Sequence, residues 1–204
     1  TFTKFPYLRK VWQKNTEEER LLGVSLTGIM DNPLMTTENA GLEKTLEHLK
    51  SVAVATNKEW AKKLGVQQSA AITCVKPSGT VSQLVDSASG IHARHSEFYI
   101  RTVRGDNKDP LTEFLIDSGV PCEPDVMNPN TTTVFSFPVK SPGGHWAVVR
   151  GDMTAIEQLE TWLEYQRHWC EHKPSITVSV REDEWLDVGA FVYRHFDEMS
   201  GVSF

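Results

Sequence analysis

Apolar positions along the chain change their spacing several times, and each change predicts an element. Leu21 to Met30 is mostly apolar, broken only by glycines and small hydroxyl residues, which predicts a strand closed by Asp31-Asn32-Pro33. Leu42, Leu46, Leu49, Ala53, Trp60 and Leu64 then recur at steps of three and four, apart from one longer gap. This stripe predicts the longest helix, with one buried face, capped by Thr36 or Thr37 and ended by Gly65. Ala70 to Val75 is apolar and β-branched, a second strand, and Lys76-Pro77 ends it because proline cannot donate to a ladder. A long helix between two strands has the length and pattern of a crossover in a parallel sheet.

Further along, Phe98 to Val103 reads as a short strand and Arg104 to Lys108 as a polar turn. Asp109 and Pro110 are a cap and a first-turn proline for a helix over Leu111 to Asp117, ended by Gly119. The proline- and Asn/Asp-rich region 120–131 reads as loop, Thr132 to Val139 as a strand with one greasier face, and Pro142-Gly143-Gly144 as a turn. Thr154 and Glu157 form a capping box for a helix whose inner face carries Ile156, Leu159, Leu163, Gln166 and Cys170, with Pro174 as its stop. Ser175 to Val180 reads as a strand, and Glu182 to Met199 as a last helix with Trp185, Val188 and Val192 inward. Near the start, Leu8, Val11 and Trp12 fall on one face of a helix. The alternation of strand and helix indicates an α/β class, and 204 residues are enough for one domain with a real core.

Composition narrows the partners. Hydrophobic residues at 39% and charged residues at 24% describe a soluble globular chain, with no apolar run long enough to cross a bilayer. A net charge of −6 argues against a nucleic-acid groove built from bulk positive charge, while leaving room for a nucleotide held in a local socket. Cys74, Cys122 and Cys170 are odd in number and far apart, which fits a reducing cytoplasm better than a disulfide framework. The chain opens on Thr1 rather than Met, which reads as a piece of a longer protein.

The chemistry-bearing stretch comes after the second strand. Pro77-Ser78-Gly79-Thr80 leads into Val81, Leu84 and Val85 at helical spacing, so strand, small-residue turn and helix N-terminus come in sequence. Free N–H groups and the positive helix end make such a junction an anion socket; Gly79 admits a ligand to the backbone, and the hydroxyls of Ser78 and Thr80 add donors. The alternative is that a hydroxyl residue here simply caps the helix. The turn is no Walker A loop, since no Gly-x-x-x-x-Gly-Lys precedes it. His92 and His95 lack a third ligand nearby, so no metal is assigned, and Arg94 is read as facing an anion near the turn. On a helix His168 and His172 share a face while Cys170 points away, so these three do not read as one metal site.

Three long stretches, the first in two parts, carry a resemblance: Thr73-Cys74-Val75-Lys76-Pro77-Ser78-Gly79-Thr80-Val81-Ser82-Gln83-Leu84 with Ser89-Gly90-Ile91-His92-Ala93-Arg94-His95-Ser96, Tyr99-Ile100-Arg101-Thr102-Val103-Arg104-Gly105-Asp106-Asn107-Lys108, and Gln166-Arg167-His168-Trp169-Cys170-Glu171-His172-Lys173-Pro174-Ser175. A fourth is Glu17 to Ile29. Together they resemble adenosylcobalamin-dependent (class II) ribonucleotide reductase, of the monomeric type that reduces ribonucleoside triphosphates. The resemblance implies a C-terminal part of a ten-stranded α/β barrel, incomplete here, with a raw sheet edge and a half-open cavity. It implies that Ser78, Gly79, Thr80 and Val81 bind the substrate phosphates, that adenosylcobalamin is the cofactor and that a thioredoxin-like dithiol is the reductant. It further implies a monomeric, cytoplasmic parent without nucleic-acid or membrane partners. The family's Asn-Pro-Cys-type radical loop and C-terminal cysteine pair are absent, so no residue of this chain is assigned a catalytic role. A stand-alone nucleotide- or phosphate-binding module without catalysis is the competing expectation, and a glycyl-radical relative has no supporting motif.

Overall fold

The computed structural model describes residues 5–142 and 147–204, so the turn expected at Pro142-Gly143-Gly144 lies partly outside them. The first helix, α1 (Lys10–Glu19), lies on the surface with Val11 and Trp12 exposed, and ends where Arg20 turns left-handed at φ 46°. Two short parallel strands come next, β1 (Val24–Ser25) and β2 (Thr73–Cys74), in register Val24 to Thr73 and Ser25 to Cys74. Hydrogen bonds from Leu22 N–H to Ala71 O and from Leu26 N–H to Cys74 O, both 3.3 Å, carry the ladder past both ends. The crossover helix α2 (Leu42–Leu64) joins them, as its stripe predicts.

Two boundaries differ from expectation, for local reasons. The strand expected to reach Met30 stops early because Gly28 takes φ 72°, and a Cβ there would lie 2.8 Å from the Ser87 hydroxyl. A 3-10 turn at Ile29–Asp31 takes its place. Helix α2 starts later than Thr36 or Thr37 predicts, since Thr36 is spent on Pro33 O (3.0 Å) and Asn39 bridges Leu34 O (2.7 Å) and Gly41 N–H (2.9 Å). Gly41, with no side-chain bond, is the cap, and Gly65 ends the helix at φ 65° as expected. Along the stripe only the first turns are covered: Leu42 and Leu46 are buried, whereas Trp60 and Leu64 are about half exposed.

After β2 come a four-residue helix α3 (Val81–Leu84) and an antiparallel sheet of β3 (Phe98–Asp106), β4 (Cys122–Pro124) and β5 (Thr132–Lys140), in the order β3-β5-β4. Strand β3 continues through the expected polar turn, Gly105 pairing with Thr133 and leaving room for Thr112 of α4 (Pro110–Asp117) against its bare α-carbon. Asp109 caps α4 through Leu111 N–H at 2.9 Å, as read from sequence. Strand β4 lies within the stretch read as loop; at a sheet edge Pro124 needs no donor, so its proline does not prevent pairing.

The core forms around α5 (Ala155–His168), whose Thr154–Glu157 capping box is present as expected. Leu159, Trp162, Leu163 and Tyr165 are buried on it, against Leu42 and Leu46 of α2, Val75, Ile176, Val178, and Val188 and Phe191 of α6 (Trp185–His195). Each buried aromatic polar atom finds a carbonyl: Trp162 Nε1 on Pro174 (3.0 Å), Tyr165 Oη on Met35 (2.8 Å), Trp169 Nε1 on Cys74 (2.8 Å). The expected last helix is split, with 3-10 turns at Glu182–Glu184 and Phe196–Glu198 on either side of α6, and Trp185 is half exposed rather than inward.

Helix α5 stops at His168, well before Pro174, because the chain turns there to run beside β2. Glu171 and His172 N–H both bond Thr73 O (2.9 and 3.0 Å), and Ser175 N–H bonds Val75 O (2.9 Å). The Glu171 carboxylate accepts Ile72 N–H (2.9 Å) and Thr73 N–H (3.3 Å), and His172 Nε2–H reaches Leu22 O and Ala71 O (2.7 and 2.9 Å). Side chains here satisfy donors that a third strand would otherwise take. The strand expected over Ser175 to Val180 is reduced to one parallel bridge, Thr177 with Ser203. Among the described residues neither sheet closes into a barrel.

Candidate functional site

The site sits where β1 and β2 end on the same side. Beyond β1 come Thr27 and Gly28; beyond β2 come Ser78 and Gly79. The two hydroxyls meet: Thr27 Oγ1 and Ser78 Oγ are 2.7 Å apart, and Gly90 N–H points at both, 2.9 Å from Thr27 and 3.0 Å from Ser78. Thr27 donates to Ala88 O at 3.0 Å, so the proton between the hydroxyls belongs to Ser78. Ser78 is therefore a clamp that fixes the turn, and its carbonyl takes Ser82 N–H at 2.8 Å together with the Ser82 hydroxyl.

Beyond Ser78 the turn is open. The N–H groups of Gly79, Thr80 and Val81 make no hydrogen bond to any other described residue, and neither does the Thr80 hydroxyl. Gly79, Thr80 and Val81 are all exposed, and nothing lies within 4 Å of where a Gly79 Cβ would sit. Thr80 occupies the cap position of α3 without making a side-chain cap bond, so the plain capping role is not realised. Val81, Leu84 and Val85 face outward at 66, 84 and 66% exposure, an apolar rim beside these polar donors.

The Gly90 segment is held by the arginine that sequence reading placed near an anion. Arg94 is instead buried in an internal ion network: Nε and Nη2 fork onto the Asp31 carboxylate, both at 3.1 Å, Nη1 reaches Asp86 Oδ1 at 3.3 Å and Nη2 reaches Asp86 O at 2.6 Å. Asp31 also takes Ala88 N–H at 2.7 Å. The pairing leaves Arg94 no charge for a ligand and fastens 86–90 to the turn after β1. His92 is likewise structural: Nε2 accepts Thr177 N–H (3.0 Å) while Nδ1–H faces Ser89 O (3.1 Å). A different side chain reaches the turn, Arg101 of β3, whose Nη2 donates to Gly79 O at 3.3 Å.

The other candidate chemistry disperses. His168 pairs with Glu47 at 3.1 Å and lies 3.7 Å from Glu164, Cys170 is buried in the core, and His172 bonds backbone carbonyls. Cys74 and Cys170 have thiols pushed up by burial, Cys170 to about 12, and Cys122 is exposed on β4. A separate hollow of about 560 Å³ lies between α1 and the second half of α2, walled by Leu21, Leu22, Trp60 and Leu64.

In sequence, the chain is 30% identical over 200 residues to the adenosylcobalamin-dependent ribonucleoside-triphosphate reductase of Euglena gracilis, covering 95% of this chain and 27% of that protein. Enzymes of the same name from Lactobacillus gasseri and Levilactobacillus brevis are each 29% identical, over 93% and 96% of this chain. Over nearly its whole length the chain resembles adenosylcobalamin-dependent ribonucleotide reductase. It spans less than a third of the length of these relatives. In structure it superimposes on a B12-dependent (class II) ribonucleotide reductase with a TM-score of 0.80 at 24% identity, over 95% of this chain and 30% of that one, which shows a shared fold. No family model matches the chain.

Three participants in this site escaped the sequence reading: Thr27, Gly90 and Arg101. Thr27-Gly28 repeats after β1 what Ser78-Gly79 does after β2, a hydroxyl then a glycine, and that repetition was a usable signal. Nothing local marks Arg101, which reaches the turn only through the docking of the β3–β5 hairpin.

Proposed function

We propose that this chain is part of an adenosylcobalamin-dependent ribonucleoside-triphosphate reductase, an oxidoreductase that makes deoxyribonucleotides, and that it supplies the turn holding the substrate's phosphates. The single observation that carries this is the row of unspent donors on Gly79, Thr80 and Val81, held rigid by the Ser78–Thr27–Gly90 clamp at the ends of two parallel strands. The end-to-end similarity to reductases of that name supports it. Backbone N–H groups beside a glycine accept a phosphate without the reorganisation that side chains need. Fixing the phosphates would position the ribose for the radical step.

Adenosylcobalamin, in the whole enzyme, supplies the initiating radical. No cysteine of this chain is assigned as the thiol that would receive it: Cys74 and Cys170 are buried, and Cys122 lies on the hairpin strand β4. No described side chain is assigned to the corrin, and the chain's part is binding and orientation. A thioredoxin-like reductant and a cytoplasmic, monomeric parent belong to the same proposal. Among the described residues no helix is long and apolar enough to cross a membrane.

The test is a calorimetric titration of the full chain and its Thr80→Val variant with a ribonucleoside triphosphate. Valine keeps the shape and removes the hydroxyl. Loss of one hydrogen bond to a charged group costs about 1.5–3 kcal/mol, roughly a ten- to hundredfold weaker Kd. Equal affinity for the two proteins would overturn the assignment of Thr80.

A further inference from the structure

We propose that Arg101 is the cationic arm of the phosphate turn: it pins the turn through Gly79 and contacts the bound phosphates with the rest of its guanidinium. This rests on the reading of the Gly79–Val81 turn as a phosphate site, and deepens it.

The argument begins with charge. Three amides and a hydroxyl carry no net charge, whereas a nucleoside triphosphate brings several negative charges to a chain that is already at −6. Arg94, the nearby arginine in sequence, is neutralised by Asp31 and Asp86. Among the described residues Arg101 is the cation with a hydrogen bond to the turn, and that bond uses one N–H of the five a guanidinium offers. The others have no described partner.

Position agrees with charge. Along β3, Tyr99 and Arg101 are half-buried while Phe98, Ile100 and Thr102 are exposed. The period of two turns the Tyr99–Arg101 face of the hairpin onto the body, with Tyr99 against the edge of His95 at 6.3 Å. An arginine suits the place better than a lysine, because a planar fork can keep one N–H on Gly79 O while others meet phosphate oxygens.

A purely structural Arg101 would only dock the hairpin, and the variants separate the two roles. Arg101→Gln keeps a donor for Gly79 O and removes the charge; Arg101→Lys keeps the charge and loses the fork. Amide NMR spectra of the full chain are followed while inorganic tripolyphosphate is added. The Gly79, Thr80 and Val81 signals are expected to shift, with affinity about tenfold lower in Arg101→Gln and partly recovered in Arg101→Lys. The salt dependence of binding is expected to become shallower in Arg101→Gln. Equal affinity and equal salt dependence in Arg101→Gln, with the amides still shifting, would overturn the role of Arg101 and leave the phosphate turn standing. Amides that stay still in the unaltered chain would overturn the turn itself, and this inference with it. If Arg101→Gln does not fold, the Arg101 Nε–H signal of the unaltered chain decides, since it should move on addition of tripolyphosphate and a stationary signal refutes the contact.

Discussion

Replacing Arg94 by methionine should be among the most damaging single changes in the chain, and the reason is visible in the asymmetry of its two partners. Side-chain exposure is 3% for Arg94, 15% for Asp31 and 64% for Asp86. The Asp31 contact is thus an enclosed, bidentate pair, while the Asp86 carboxylate remains in water. Arg94→Met leaves the Asp31 carboxylate enclosed with only Ala88 N–H at 2.7 Å for compensation. Stranding one member of a buried pair costs about 3–5 kcal/mol. That is a large part of the ~5–15 kcal/mol by which domains are stable. Asp86→Asn removes an exposed ion pair and should cost no more than about 1 kcal/mol. The double variant Arg94→Met with Asp31→Asn no longer buries an unpaired charge, and should be less unstable than Arg94→Met alone.

Urea unfolding of the full chain, read by fluorescence of its 6 tryptophans and extrapolated to water, measures all four proteins. The ordering is the test. If Arg94→Met cost less than about 1 kcal/mol, or if Asp86→Asn cost as much as Arg94→Met, the enclosed Asp31 pair would not be what holds 86–90 in place. A double variant less stable than Arg94→Met alone would refute the stranded-charge explanation even if the singles behaved.

How much could be read from the sequence depends on the range of the forces involved. Elements fixed by local chemistry stand where the sequence places them: the Asp109-Pro110 start of α4, the Thr154–Glu157 box and the Gly65 end of α2, whereas the strand expected over Ala70 to Val75 narrows to Thr73–Cys74 and ends ahead of Pro77. Some misplacements arise where a distant group competes, others where a neighbour a few residues away does. Helix α5 ends at His168 rather than Pro174 because Glu171 and His172 are drawn to the edge of β2, and no periodicity within that segment encodes a partner so distant in the chain. The start of α2 was hidden by Thr36, which looks like a cap but bonds back to Pro33. The apolar stripe of α2 forms one helix face, but the burial expected along it is met at Leu42 and Leu46 and not at Leu49, Trp60 or Leu64, which fits a chain matching under a third of its relatives' length. At the site, the turn itself was legible from Pro77-Ser78-Gly79-Thr80. The division of labour within it was not, because whether Ser78 faces a ligand or Thr27 depends on how β1 and β2 are aligned.

Two further outcomes probe groups away from the turn. Hydrogen bonds from Arg167 and His195 hold the Glu198 carboxyl down at about 2, so its stabilising contribution is complete above the ordinary glutamate value near ~4.3 and is lost as pH falls toward about 2. Carboxyl-carbon NMR titration should find that low midpoint in the unaltered chain and a rise toward the ordinary value in Arg167→Gln; an unchanged midpoint would refute the pairing. Alkylation of the native chain at mildly alkaline pH should modify Cys122, which is exposed, and spare Cys74 and Cys170 until urea is added, as mass spectrometry would register. Burial holds both inner thiols neutral and out of solvent, and only a thiolate attacks the reagent, so protection here measures that enclosure. Rapid native modification of Cys74, on the strand that leads directly into Ser78, would place a reactive sulfur beside the proposed phosphates and defeat the assignment of a purely binding role to this chain.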